Sequence, residues 1–261
     1  MRTRWVVAGL AASVTLTGCA ASPGADPAAR PETLTVLAAS SLTDSLTQLA
    51  ARFEADHPGV TVRPAIDGSA SLVTQLEQGA PADVVAVADE ATMDRLVAAG
   101  LVGSPLAFAS NALVIAVPAD NPAHITSWTD LARPGVTTVR CAPAVPCGAA
   151  ADRLEAVTHV TPHPVSYEQN VKAVVTKLTT RAADAGLVFA TDVIAAAGQL
   201  VAVALPDGSN VDSAARTTYV AAVVASSPEA ERAAQFVAYL GSSEGQAILT
   251  AAGFGPASSQ P

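Results

Sequence analysis

An α/β fold with mostly parallel strands, divided into two lobes, is what this sequence predicts, on three observations. Short apolar strands alternate with amphipathic helices along the chain from Leu34 to Leu240. Half of the 261 residues are hydrophobic and only 14% are charged, enough apolar material for a packed core. The part left after the N-terminal segment, roughly 225 residues, exceeds one doubly wound unit of ~100–150, so two lobes are expected.

The elements follow in order. Leu34 to Ala38 is a strand, and Ser41 opens a helix with Leu42, Leu46, Leu49 and Phe53 on one face and Asp44 completing a Ser-x-x-Asp start. His57-Pro58-Gly59 ends that helix. Val60 to Ile66 is a strand, Asp67-Gly68-Ser69 a turn, and Leu72, Val73 and Leu76 the stripe of a helix ending at Gly79. Val84 to Val87 is a strand, and Asp89 caps a helix bearing Met93 and Leu96. Leu113 to Val117 is a longer strand closed by Pro118, and Trp128 packs under a short helix. Val136 to Arg140 is a strand, Gly148 to Val157 a helix, and Asn170 caps a helix bearing Val171, Val174 and Leu178. Strands follow at Leu187 to Ala190, Val201 to Leu205 and Tyr219 to Val224. Ser227-Pro228 then starts a helix carrying Phe236, Val237 and Leu240. The strands at Leu113–Val117 and Tyr219–Val224 are the expected crossings between lobes.

Composition excludes several function classes. The formal charge is −9, aromatics are 4% of residues, and no basic run appears, which argues against a nucleic-acid partner. No uninterrupted apolar stretch is long enough for a membrane span.

The N-terminus reads as a targeting segment. Arg2 and Arg4 precede the apolar run Trp5 to Leu16, which ends in Leu16-Thr17-Gly18-Cys19. That ending resembles the lipobox of bacterial lipoproteins, in which Cys19 becomes the lipidated first residue. A plain secretory peptide with an incidental Cys is the alternative. Removing residues 1–18 takes away two Arg and no acid, moving the charge from −9 to −11. Residues 19–32, rich in Ala, Ser, Pro and Gly, are then a flexible tether.

Cys141 and Cys147 remain. In an exported protein they are expected to pair, closing a small loop through Pro143 and Pro146, a stabilisation of about 2 kcal/mol. A zinc site would need two further ligands, and the Pro residues around His159 and His163 break the helix such a pair would use. No metal ligation and no cofactor are expected.

Chemistry concentrates at helix starts. A helix N-terminus carries unpaired N–H groups and partial positive charge, and in an open α/β sheet the starts at strand carboxyl ends face the ligand. Ser41, Gly68-Ser69, Cys147-Gly148 and Asn170-Val171 all qualify. Enzyme motifs are missing from the sequence: it has no Gly-x-Ser-x-Gly elbow, Walker loop or dinucleotide glycine pattern.

Ala38-Ala39-Ser40-Ser41-Leu42-Thr43, Gly68-Ser69 with Leu72, and Gly79-Ala80-Pro81-Ala82-Asp83-Val84 resemble the ModA family, the molybdate-binding proteins of ABC importers. Val145-Pro146-Cys147-Gly148, Ala185 to Asp192, Phe236 to Leu240 and Gly253-Phe254 continue the resemblance in order over residues 33–255. It implies a two-lobed fold of the periplasmic-binding-protein type (type II), with a ligand cleft between lobes joined by two crossing strands. The lobes would be 33–112 with 219–261, and 113–218. It also implies that Ser41 and Ser69 give hydroxyl and amide donors to the oxyanion, and that Cys147 and Val171 give amides. The family's usual Tyr is Phe189 here, which has no hydroxyl to donate. Tyr167, Gln169 or Asn170 is expected to substitute, with Phe189 as a wall of the site.

The expected function is capture of molybdate and tungstate, and delivery to the permease of an ABC importer. The protein would be a lipid-anchored monomer outside the cytoplasmic membrane. Sulfate or phosphate is the nearer alternative, with phosphate favoured if Asp67 points into the cleft. A secreted serine hydrolase using Ser41 or Ser69 is the more distant one and needs a His beside the serine.

Overall fold

The computed structural model describes residues 32–257, so the signal-type segment, Cys19 and nearly all of the tether lie outside the described residues. The first half builds parallel strands β1 (Glu32–Ala39), β2 (Val60–Asp67) and β3 (Val84–Val87) with α1 (Thr43–Asp56), α2 (Ser69–Glu77) and α3 (Glu90–Ala98) between and after them. β4 (Leu106–Pro118) is the longest strand. Beyond it come β5 (Thr138–Cys141), α4 (Pro146–Thr158), β6 (Ser166–Glu168), α5 (Val171–Thr179), β7 (Ala185–Phe189), α6 (Ala190–Ala195), β8 (Leu200–Val203) and α7 (Ser209–Ala215). β9 (Arg216–Val223), α8 (Ala230–Leu240) and α9 (Ser243–Ala251) return the chain to the first half.

The strands run β2-β1-β3-β9-β4-β7-β5-β6, with β8 on β4. β4 joins two systems: Leu106 to Ala112 pair antiparallel with β9, and Leu113 to Pro118 pair with β7 and β8. The apolar cores divide at the same place. One cluster draws its buried residues from Leu113 to Ala215. Two others draw theirs from Leu34 to Phe254 outside that stretch, on opposite faces of one sheet. β3 shows why: Val84 and Ala86 enter one cluster while Val85 and Val87 enter the other, since alternate side chains leave opposite faces. The molecule is a two-lobed α/β fold.

Two of the expected helix caps form as the sequence signals them. Asp89 Oδ1 accepts from the Thr92 amide (2.8 Å) and Asn170 Oδ1 from the Ala173 amide (3.0 Å), both as N-caps. Trp128 is buried at the start of a short 3-10 helix.

Other starts differ. Ser41 lies in a 3-10 turn, Ser40–Leu42, and α1 begins at Thr43. The Ser-x-x-Asp cap is not formed, because Ser41 Oγ turns to Tyr219 and Asp44 to Lys172. β4 begins seven residues earlier than its apolar run, at Leu106, since pairing with β9 holds the less regular part in line. The Ser227-Pro228 helix begins only at Ala230: Ser227 Oγ donates to Asp83 Oδ1 (2.6 Å) and accepts from the Glu229 amide (3.1 Å), forming a turn first.

One buried carboxylate sits where the lobes meet. Asp192 Oδ2 accepts from the Phe189 amide (3.2 Å), while Oδ1 has only Lys172 Nζ at 3.4 Å. The same ammonium lies 3.3 Å from Asp44 on α1. Burial pushes the Asp192 carboxyl up from its ordinary 3.8 to about 6, and attraction to Lys172 offsets only part of that. Between these values the folded chain holds a proton that the unfolded chain has released, so this group's contribution to stability falls as pH rises from about 4 to 6. Asp192→Asn should therefore remove that slope, making the variant's melting temperature relative to the parent's climb across the window. A constant difference from pH 4 to 8 would contradict this.

Candidate functional site

Four segment starts meet in one cleft. Ser41 follows β1, Ser69 follows β2, Cys147 follows β5 and Val171 follows β6, each just beyond the carboxyl end of its strand. All four line a single small cleft, together with Gly68, Asn170 and Phe189. Ser69 and Val171 are first residues of their helices and Cys147 is second, after Pro146, so their amides have no intrahelical acceptor. Among the described residues, no carboxylate lines the cavity.

Each donor is held by its surroundings. Ser69 is almost fully buried, and its Oγ accepts from the Ala88 amide at 3.1 Å, which leaves its own hydrogen to point elsewhere. Cys147 is fixed by a disulfide to Cys141, with Cα atoms 5.6 Å apart. Behind it, buried Arg140 donates to the carbonyls of Gly148 (3.0 Å) and Cys141 (3.3 Å) and pairs with Asp152 and Glu155. Gly148 is required there, since a Cβ would lie 1.8 Å from the Ala142 oxygen.

Asp67 does not face the cleft. Its carboxylate accepts from the Gly68 amide (2.7 Å) and the Ser71 hydroxyl (2.5 Å), as local turn chemistry. Two of the three expected substitutes for the missing phenol are also elsewhere. Tyr167 is 53% exposed and its ring lies under the Arg140 guanidinium, because β6 is an edge strand that turns this side chain outward. The exposed Gln169 contributes a backbone carbonyl instead. Asn170 lines the cleft; its Oδ1 accepts from the Ala173 amide as the α5 cap, which leaves Nδ2 as its donor group. Phe189 is a buried wall of the cleft, its ring edge-on to Tyr219 with centroids 6.1 Å apart.

The residue that sequence reasoning missed is Tyr219. Fully buried on β9, it places its hydroxyl 2.7 Å from Ser41 Oγ. Those residues are 178 positions apart, and only the pairing of strands could have joined them. No histidine lines the cleft, so neither serine has a base beside it; His57, for instance, stacks on Phe53 at the end of α1.

Neutral donor groups converging from two lobes on one small cleft are the arrangement of a binding protein for a small solute. Residues 34–255 match the family described as bacterial extracellular solute-binding protein, and the chain belongs to that family. It is 40% identical to the molybdate-binding protein ModA of Mycobacterium tuberculosis, over 96% of this chain and 98% of the relative. Its fold is similar to that of the Azotobacter vinelandii periplasmic molybdate-binding protein (TM-score 0.71, 23% identity, 87% of this chain and 99% of that one). It is also similar to that of the sulfate-binding protein SubI from Mycobacterium tuberculosis (TM-score 0.75, 22% identity, 86% and 87%).

Gly68 sets how near the lobes come. A Cβ there would stand 2.4 Å from the Gln169 carbonyl oxygen and 3.3 Å from Asn170 Cβ, across the cleft. Gly68→Ala should leave the thermal stability of the ligand-free protein near the parent's but weaken anion binding by more than tenfold, because the donors on the two sides no longer meet. Calorimetric titration of an otherwise stable variant with parental affinity would contradict this.

Proposed function

We propose that this chain captures molybdate, and with it tungstate, outside the cytoplasmic membrane and hands it to the permease of an ABC importer. The observation that carries the reading is the convergence of Ser41, Ser69, Cys147 and Val171 on one cavity free of carboxylates. A tetrahedral dianion needs donors and no acceptors, and each hydrogen bond to a charged group contributes ~1.5–3 kcal/mol. Helix starts supply complementary partial charge, so a net formal charge of −9 is no obstacle. The 40% identity to a molybdate-binding relative supports this anion in particular.

In this reading Ser41 and Ser69 donate through hydroxyl and amide, and Cys147 and Val171 through amides. Lobes comprising residues 33–112 with 219–261, and 113–218, close on the ligand about the crossing strands. The protein binds and releases its ligand without chemical change, as a monomer. Cys19 carries the lipid and residues 19–32 tether the body to the outer face of the membrane.

Hydrogen phosphate carries a proton that wants an acceptor, and Asp67 is engaged in its own turn, which weighs against it. Sulfate shares the donor requirement, so the ligands are separated by titration. Calorimetry should give the tightest binding for molybdate and tungstate, weaker for sulfate and least for phosphate; preference for phosphate would overturn the reading. Ser41→Ala and Ser69→Ala should each weaken molybdate binding more than tenfold, on the order of 1.5 kcal/mol or more. Parental affinity in both would place the anion elsewhere.

A further inference from the structure

We propose that Tyr219, oriented by Asn111, is a positioning residue that commits the Ser41 hydroxyl to donating toward the cleft; this rests on the oxyanion site proposed above. The argument is one of hydrogen-bond direction. Asn111 Oδ1 accepts from the Ala112 amide at 2.9 Å, which fixes which way round the side-chain amide sits. Its Nδ2 then faces Thr191 Oγ1 at 2.8 Å and the Tyr219 hydroxyl at 3.4 Å. An amide nitrogen only donates, so Tyr219 accepts from Asn111, and among the described residues Ser41 Oγ, 2.7 Å away, is the one remaining acceptor for the buried phenol hydrogen. Ser41 is thereby an acceptor on its buried side, and its single hydrogen is left for the occupant of the cleft.

Ser69 stands in the same relation to the Ala88 amide, 3.1 Å behind it. Ser41 and Ser69, the two serines proposed to donate through their hydroxyls, are therefore each backed by a donor, one from a phenol and one from the backbone. Burial holds the Tyr219 phenol well above its ordinary range, so it keeps its hydrogen.

Phe189 packs against this phenol and supplies no hydroxyl of its own. The family resemblance places a Tyr there, donating directly to the anion. Here a ring without a hydroxyl packs edge-on against Tyr219, whose phenol acts from the neighbouring crossing strand and through Ser41. Asn111 and Tyr219 lie on β4 and β9, and Thr191 on α6, so the chain of donors is rooted in the strands that join the lobes.

Tyr219→Phe keeps the ring contacts with Phe108, Phe189 and Phe254 and removes only the oxygen. The test is a double-mutant cycle read by calorimetry, using molybdate or whichever of tungstate and sulfate the parent binds more tightly. Melting temperatures serve as the check on folding. Tyr219→Phe should weaken binding about tenfold with Ser41 present, and by less than twofold in a Ser41→Ala background, because its effect passes through that hydroxyl. Asn111→Leu, which removes the orienting amide, should show the same dependence on Ser41 and serves if the first variant is unstable. Parental affinity in Tyr219→Phe, or a loss that adds fully to that of Ser41→Ala, would overturn the relay while leaving the site standing. A parent that binds none of these anions, or a Ser41→Ala that loses nothing, would overturn the functional reading and the relay together.

Discussion

A small anion leaves water only if donors replace the hydrogen bonds it gives up, and every donor must be free of competing partners. The architecture follows from that constraint. First-turn amides of helices are among the few backbone groups that a fold leaves without an acceptor, and a strand–helix succession delivers them at strand ends. Two lobes are needed because starts on a single sheet edge would meet an anion from one side. The cavity at Ser41, Ser69, Cys147 and Val171 draws the first two from one lobe and the last two from the other.

Holding donors free is as demanding as supplying them. A hydroxyl can turn and bond to its own protein, so the structure places a donor behind Ser69, and one behind Ser41. An amide on a loop can swing, so the Cys147 segment is tied by the disulfide to Cys141 and braced from beneath by Arg140. Arg140 illustrates the division of charge in the molecule. Its guanidinium is neutralised by Asp152 and Glu155, so full charges stay outside the cleft and dipoles line it.

Much of this could be read from sequence where the physics is local. Asp89 and Asn170 act as caps because a cap joins residues three apart, and Ser69, Cys147 and Val171 reach the cleft because strand–turn–helix patterns place them. The Cys141–Cys147 pairing was legible from two cysteines six residues apart. What could not be read depends on strand pairing. The extent of β4, the three-residue β6 and the meeting of Tyr219 with Ser41 are set by neighbours far away in the chain. Tyr167 was expected at the site because it is close in sequence to Val171, yet the alternation of an edge strand turns it to solvent. The start of the six-residue α6 was hidden because Ala190, its first residue, continues the apolar run of β7.

The thirteen residues of β4 have a mechanical consequence. Because both links between the lobes are strands, hydrogen-bonded to each other from Leu106↔Ala221 to Ala112↔Arg216, the joint is a ribbon and not a pair of loose cords. A ribbon bends about one axis and resists twisting and sliding. In the closure proposed above, such a ribbon leaves essentially a single coordinate, and would return the groups of the two lobes to the same register on every cycle. Little configurational freedom is left for a ligand to remove, so more of the hydrogen-bond energy at the cleft remains as affinity.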